Sequence, residues 1–300
     1  MSKRAVLVGC NYDKTRFNQR GCINDVETMS SLIFNQFGFE MADVKVLTDA
    51  PKSKDLPTVS GHGTAVPTLG GDRFREEEAI VPCDFNIITD HGINMSKCAD
   101  KDFKDLIKGL PGGVSFTILS DSTLSGALID KRTQQIVLNS LEMEPNPLPP
   151  LTRVKSIDFN VICQKLSTST IFVEQEKTIS GLFNRLFGDD MSLKFNSGAL
   201  NVFDIPQDKG TLMSGCQANE TSFDTIPNGK PYGAFTDAVR QVVANHSDSD
   251  SASGATITNQ QLVIEARQIL RHNGFEQLPC LYCNDPNAKA LFLGGFASNL

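Results

Sequence analysis

Short apolar runs that end in polar residues restrict the fold of this chain more than any other feature of its sequence. Residues 5–11 (AVLVGCN) and 114–119 (VSFTIL) lack the alternation of half-exposed strands, which indicates strands buried on both faces of a parallel sheet. Residues 43–48 (DVKVLT) alternate like another strand, and we expect a short third strand at Ala79–Pro82. Because such strands need helices to cover them, the sequence predicts an α/β fold with helices on both faces of the sheet.

Apolar residues at helical spacing occur between and after these strands. Ile23, Val26 and Met29 fall on one face of a helix that Gly38 can end. The pattern T-x-x-Q at 258–261 is typical of a capping box, so a helix is expected to begin there. The remaining predicted elements are helices at 102–109 and 234–245 and strands at Thr211–Cys216 and Cys280–Cys283.

A proline-rich stretch at 142–150 (EMEPNPLPP) divides the chain, because proline lacks the backbone N–H that regular structure needs. We therefore expect a first region at 1–141, a linker at 142–155 and a second region at 156–300. In open α/β sheets, the functional site lies beyond the carboxyl ends of the strands. His62 and Asp121 both fit that place in the sequence.

Charge and cysteine content narrow the classes of function. The net charge of −7 provides no basic surface for nucleic acid or an anionic membrane. No apolar run approaches the ~20 residues of a membrane span, and the first residues show no signal-peptide pattern. Eight cysteines in 300 residues do not form a disulfide framework. We expect a cytoplasmic protein that binds neither nucleic acid nor membranes.

A set of short motifs stands in one order along nearly the whole chain. The motifs are VLVGCNY, GCINDV, VLTD, SGHGT, EEAIVPCDFN, SDS-x-x-SG-x-LID, LMSGCQA-x-ETS, GKPYGAF and PCLYC. Together they resemble the type II metacaspases of plants, a branch of the caspase-like fold. The resemblance implies a family of Arg- or Lys-directed cysteine endopeptidases, a caspase-like sheet of mainly parallel strands, and large- and small-subunit-like regions at 1–141 and 156–300.

The resemblance also implies a catalytic pair, and one member of that pair is changed here. His62, within S-G-H-G, matches the family histidine, whereas Thr123 stands where the family pattern S-D-S-C-H-S-G-G has its nucleophilic cysteine. A thiol has a pKa near ~8.5, but a threonine hydroxyl is far less acidic and normally needs a dedicated base to act as a nucleophile. We therefore expect the chain to be catalytically impaired.

A second cysteine offers an alternative nucleophile. Cys22 begins the first predicted helix, where the helix dipole favours a thiolate. To act, its thiol must lie within hydrogen-bond reach of His62 or be joined to it through one water. The competing interpretation is that Cys22 is a small buried residue.

Two further sets of residues follow from the resemblance. Asp25 and Asp121 match the acids that bind a basic substrate side chain, and a carboxylate pair suits that task because it forms forked, charge-assisted hydrogen bonds. Calcium is a family cofactor, and its ligands here would be four acidic residues. An apparent insertion separates the first of these acids from the others. These candidate calcium ligands are Asp90, Asp100, Asp102 and Asp130.

The link before the catalytic histidine is unusually short. Only 11 residues separate Asp49 from Gly61, whereas the family has a helix and an internal strand between the matching motifs. A crossover between parallel strands needs about 12 or more residues. We therefore expect this chain to lack one internal strand and its helix, and we expect His62 to be poorly held.

Three functions remain open at this point. The chain is a non-cleaving homologue that binds Arg- or Lys-containing substrates or active relatives, or a residual peptidase that uses Cys22 with His62, or a non-functional product of a damaged or mis-spliced gene. Members of the family also cut their own linker after a basic residue, and Arg153 is the matching position here. Without a nucleophile, we expect the isolated chain to stay intact.

Overall fold

The fold is described from a computed structural model of the chain. The structure describes residues 2–13, 18–50, 62–70, 73–81, 88–89, 92–93, 98–99, 109–123, 152–155, 210–217, 220–247 and 256–297.

The first strand–helix–strand unit forms as the sequence predicts. Strand β1 (Ala5–Gly9) pairs in parallel with β2 (Val44–Thr48), and helix α1 (Cys22–Phe37) lies between them in the chain. The helix ends at Gly38, whose φ of 66° is in the left-handed region that glycine adopts without strain. The backbone N–H of Gly38 donates to the carbonyl oxygen of Ile33 and so satisfies one of the last carbonyls of the helix.

A second sheet joins the two halves of the chain. Strand β8 (Phe116–Ser120) pairs in parallel with β10 (Gly210–Ser214), and β13 (Cys280–Tyr282) pairs with β10 in antiparallel orientation. All three strands were predicted from the sequence. The regions on either side of the proline-rich stretch therefore share one sheet and are not independent folding units.

A hairpin follows the histidine of the S-G-H-G motif. Strand β3 (Gly63–Gly70) pairs in antiparallel orientation with β4 (Arg73–Ile80), and β7 (Cys98–Ala99) adds to β4. The short strand predicted at Ala79–Pro82 was wrong in extent, because β4 begins six residues earlier. The first part of β4 was not predicted because its sequence, RFREEE, lacks the alternation of apolar and polar residues that indicates a strand. The small pair β5 (Ile88–Thr89) and β6 (Gly92–Ile93) lies nearby in the chain.

The missing internal strand and helix stay a prediction, because residues 51–61 lie outside the described part of the chain. Within the described ranges, the β1–β2 pair and the β8–β10–β13 sheet are separate sheets. The helix predicted at 102–109 lies almost wholly outside the described residues as well, so helices on both faces also stay a prediction.

Helices of the second region complete the core. Helix α2 (Ala234–Ser247) and helix α3 (Asn259–His272) pack with α1 around one cluster of buried apolar side chains. The predicted capping box is confirmed, because the Thr258 side chain accepts from the backbone N–H of Gln261 and the Gln261 side chain accepts from that of Thr258. The remaining strands are β9 (Arg153–Val154), β11 (Phe223–Thr225) and β12 (Tyr232–Gly233), and the remaining α-helix is α4 (Asp285–Lys289).

None of the helices in the described residues combines the length and the apolar character that crossing a bilayer requires.

Candidate functional site

Three carboxyl groups from distant parts of the sequence surround one ammonium group. Asp25 lies in the first turn of α1, Asp121 directly follows β8, and Asp224 lies in β11. Lys155 Nζ lies 3.6 Å from Asp25 Oδ2, 3.4 Å from Asp121 Oδ1 and 3.5 Å from Asp224 Oδ1. The predicted pair Asp25 and Asp121 therefore does form one acidic pocket, and this pocket already holds a basic side chain of the same chain.

The backbone around Lys155 holds it in the pocket. Strand β9, immediately before it, pairs in antiparallel orientation with β11, so Arg153 lies opposite Asp224. The backbone N–H of Lys155 donates to the carbonyl oxygen of Ser222 at 2.9 Å, and its Nζ donates to the carbonyl oxygen of Asp121 at 3.1 Å. Lys155 is 0% exposed. An extended segment paired to a strand edge, with one side chain in a pocket, is the way many proteins bind a peptide.

Hydrogen bonds from the second region orient the carboxylates. Both oxygens of Asp25 accept from the backbone N–H of Gly233, at 2.8 and 3.0 Å. Asp121 Oδ1 accepts from the Ser222 hydroxyl at 2.7 Å, and Asp121 Oδ2 accepts from the backbone N–H and the hydroxyl of Thr236 at 2.8 and 2.9 Å. A Cβ atom on Gly233 would overlap Asp121 Oδ2 and Lys155 Nζ. The absence of a side chain at position 233 therefore leaves the space that the Asp121 carboxylate and the Lys155 ammonium occupy.

Burial and charge shift the pKa values in the pocket in opposite directions. Burial raises the pKa of Asp25 to about 8, although the nearby Lys155 ammonium acts against this change. Burial likewise raises the pKa of Asp224 above its ordinary value. Burial alone would lower the pKa of Lys155, but the carboxylates of Asp121, Asp25 and Asp224 outweigh it and hold that pKa well above its usual range. Lys155 therefore keeps its charge at neutral pH, and Asp25 holds a proton more readily than an ordinary aspartate does.

The backbone of His62 is held more firmly than the sequence predicts. The residue is 2% exposed, its N–H donates to the Tyr12 hydroxyl oxygen at 2.9 Å, and its carbonyl oxygen accepts from the N–H of Val81 at 2.8 Å. The expectation that His62 is poorly held was therefore wrong for the His62 backbone itself, whose N–H and carbonyl oxygen are both hydrogen-bonded. Residues 51–61, which precede it, lie outside the described residues. Its ring lies against that of Tyr12, and Gln19 Nε2 lies 3.2 Å from His62 Nε2 and 3.3 Å from Nδ1.

The Thr123 hydroxyl is directed to a different partner. Thr123 is 4% exposed, and its Oγ1 accepts a hydrogen bond from the backbone N–H of Ser222 at 3.0 Å. Among the residues that the structure describes, no hydrogen bond joins this hydroxyl to His62. The bond to Ser222 instead connects the end of β8 to the segment before β11, which is a structural role.

The geometry of Cys22 does not match the alternative nucleophile. Its thiol is buried, and burial raises its pKa well above the ordinary value, with the Lys155 ammonium acting in the opposite direction. No hydrogen bond in the described ranges joins Cys22 to His62. The expected dipole effect is therefore smaller than the cost of burying a thiolate.

Several predicted site residues cannot be placed. The four candidate calcium ligands Asp90, Asp100, Asp102 and Asp130 lie outside the described residues. The residues that are described contain no group of three or more His, Cys, Asp or Glu side chains able to hold a metal ion. Arg153, the predicted processing residue, lies in β9, and the basic side chain in the pocket is that of Lys155, two residues later.

Sequence reasoning missed Lys155 and Asp224. Arg153 and Lys155 are both basic residues that follow the proline-rich stretch, and the sequence pattern alone does not choose between them. Asp224 lies two residues after the motif LMSGCQA-x-ETS, but aspartate side chains are mostly exposed to solvent. Only the three-dimensional structure identifies Lys155 and Asp224, because the pairing of β9 with β11 brings them against Asp25 and Asp121 of the first region.

Comparison with known proteins places this chain in a family. A model of the caspase domain matches residues 2–291. Metacaspase-9 of Arabidopsis thaliana is 40% identical over 330 positions, which cover 96% of this chain and 96% of that protein. Metacaspase-6 of the same plant is 29% identical and covers 98% of this chain and 100% of its own length.

A solved structure shares the fold. Protein GSU0716 from Geobacter sulfurreducens superposes with a TM-score of 0.59 over 99% of this chain and 100% of its own, at 18% identity. The alignment to metacaspase-9 spans more positions than this chain has residues, so that relative contains stretches without a counterpart here. The chain belongs to the metacaspase branch of the caspase-like cysteine peptidase family.

Proposed function

We propose that this chain is a non-cleaving metacaspase homologue whose basic-residue pocket is occupied by its own Lys155. It recognises basic side chains as its relatives are expected to do, but it does not cleave the peptide bond after them. The observation that carries this proposal is the coexistence of a complete acidic pocket with a threonine at the nucleophile position. Under this proposal, the site keeps the ability to bind a basic side chain but has lost the ability to cleave a peptide bond.

The contacts of Lys155 support the recognition half of the proposal. Its ammonium has three carboxyl groups within 3.6 Å, and none of these carboxyl groups belongs to a neighbouring residue in the sequence. A basic side chain of a peptide substrate would need the same three partners. Arg- or Lys-containing peptides, including segments of active relatives, therefore compete with Lys155 for the pocket.

The contacts of Thr123 support the loss of chemistry. Peptide cleavage by this family requires a nucleophile that a histidine can deprotonate. The Thr123 oxygen instead accepts a hydrogen bond from the backbone N–H of Ser222, while the His62 ring lies beside Tyr12 and Gln19. A residual peptidase that uses Cys22 is less well supported, because burial raises the pKa of that thiol. The intact pocket also argues against a product of a damaged gene.

Binding and hydrolysis of one peptide test both halves of the proposal. A short peptide amide that ends in arginine is added to the parent chain and to Lys155→Ala, and binding is followed by calorimetry. We expect weak binding to the parent, because the peptide must displace Lys155, tighter binding to Lys155→Ala, and no hydrolysis by either, with or without millimolar calcium. Hydrolysis that disappears on His62→Ala would contradict the loss of chemistry.

Two controls assign the binding to the pocket. Asp121→Asn in the Lys155→Ala background should weaken binding about tenfold or more, since it removes a charge-assisted contact to the guanidinium. A peptide with norleucine in place of arginine should not bind to Lys155→Ala. Equal affinity for the two peptides would show that the acids do not recognise the basic side chain.

A further inference from the structure

The tyrosine of the first motif lies at the junction between two sheets. Tyr12 follows β1 by three residues and is 1% exposed, yet its φ of 53° is in the left-handed region that few residues other than glycine adopt. Such a conformation persists only where neighbouring groups hold it. The carboxylate of Asp49 provides that hold, because its two oxygens accept from the backbone N–H groups of Asn11 and Tyr12 at 2.8 and 2.7 Å.

The Tyr12 hydroxyl connects this fixed loop to His62, which matches the family histidine. It donates to the carbonyl oxygen of Val81 and accepts from the backbone N–H of His62. His62 and Val81 immediately flank the β3–β4 hairpin and also bond to each other. The tyrosine ring lies 4.8 Å from the imidazole, centroid to centroid, with the planes tilted by 40°.

We propose that Tyr12 is the positioning residue for His62, with Asp49 as its support. The chain of contacts runs from the end of β2, through Asp49 and the Tyr12 backbone, to the Tyr12 hydroxyl and then to the His62 N–H. The hydroxyl sets the position of the His62 backbone, and the ring limits the rotation of the imidazole. This role is independent of whether the chain cleaves peptides, because it concerns only where the histidine is held.

The composition of the chain makes this role directly measurable. The chain has four histidines and three tyrosines, so selectively labelled imidazole signals can be resolved and assigned one by one by NMR. Tyr12→Phe removes only the hydroxyl and keeps the ring. We expect the His62 imidazole signal to shift or broaden, and the exchange of the His62 amide to accelerate by about two- to tenfold, since that amide loses its acceptor.

Controls separate positioning from general stability. Tyr232→Phe is the matched substitution, because Tyr232 lies in β12, remote from the histidine in sequence and strand pairing. His246, which bonds to Glu265 between α2 and α3, is the internal reference and should not change in Tyr12→Phe. Unchanged His62 signals in Tyr12→Phe, or equal changes at His62 and His246, would overturn the proposal.

A second variant keeps the test decisive if Tyr12→Phe does not fold. Asp49→Asn retains the Tyr12 hydroxyl but replaces one acceptor oxygen with an amide group that faces a backbone N–H. We expect a change at His62 in the same direction as in Tyr12→Phe, again with His246 unaffected. A folded Asp49→Asn variant with His62 signals identical to those of the parent would show that the Asp49–Tyr12 support does not position the histidine.

Discussion

Lys155 Nζ lies 3.4 Å from Asp121 Oδ1, although a proline-rich linker separates the two residues in the sequence. The side chain of Lys155 is 0% exposed and that of Asp121 is 7% exposed, so water contributes little to the screening of this pair. The pair joins the linker to the end of β8, where the family carries its nucleophile. The acidic pocket that we propose binds basic side chains therefore holds a lysine of the same chain.

Removing the buried ammonium should destabilise the chain strongly. Lys155→Met leaves three carboxyl groups in the pocket without a cation, and breaking a buried ion pair in this way typically costs ~3–5 kcal/mol. The matched control is Lys230→Met, because Lys230 is 48% exposed and forms a surface pair with Glu27 at 3.4 Å. That change should cost only about 0–1 kcal/mol. Urea unfolding measures both, and equal effects would contradict a buried ion cluster.

The contribution of Asp25 to stability should decrease as the pH rises from about 4 to about 8. Burial raises the pKa of Asp25 to about 8 in the folded chain from an ordinary value of 3.8. In this pH window the folded state keeps a proton that the unfolded state has lost, so the free energy of unfolding falls with rising pH. Asp25→Asn should make this slope shallower, and Asp224→Asn should do the same to a smaller extent. An unchanged slope in Asp25→Asn would contradict the raised pKa.

The Thr123 hydroxyl should matter for stability. Thr123→Val keeps the shape of the side chain but removes the acceptor of the Ser222 N–H, and a buried unpaired N–H costs ~1–3 kcal/mol. Thr123→Ser retains the hydroxyl and is the control, with a smaller loss from the missing methyl group. Equal stability of the Val and Ser variants would show that this hydrogen bond contributes nothing.

Restoring the family's cysteine should not by itself restore cleavage. In the parent chain, the side chain at position 123 accepts a hydrogen bond from the backbone N–H of Ser222. No hydrogen bond in the described ranges links this side chain to His62, so a cysteine introduced by Thr123→Cys would start from the same position. A catalytic base must lie within hydrogen-bond reach of its nucleophile, and a misplacement of ~1 Å costs on the order of 100-fold. Hydrolysis after arginine is measured for the parent, Thr123→Cys and Thr123→Cys with His62→Ala. Robust, His62-dependent turnover from Thr123→Cys alone would show that the pair is already well placed.

The comparison of sequence and structure shows which features local patterns determine. Gly38 and the Thr258 capping box fix the ends of two helices, because each depends only on residues within one helical turn. Asp25 and Asp121 were found because short motifs carry them. Lys155 and Asp224 were not found, since their meeting depends on the pairing of β9 with β11, which no local pattern specifies. The hydrogen bond that holds the His62 backbone was likewise missed, because it comes from Tyr12, which lies in the loop after β1 and is distant in sequence.

The intact mass of the purified chain after prolonged incubation with millimolar calcium tests the central claim most directly. We expect one full-length species of 300 residues, because Lys155 occupies the pocket and Thr123 stands at the position of the family's nucleophilic cysteine. Two fragments would contradict the account if they were absent from His62→Ala. A new N-terminus at Ser156 would assign such a cut to Lys155, and one at Val154 would assign it to Arg153.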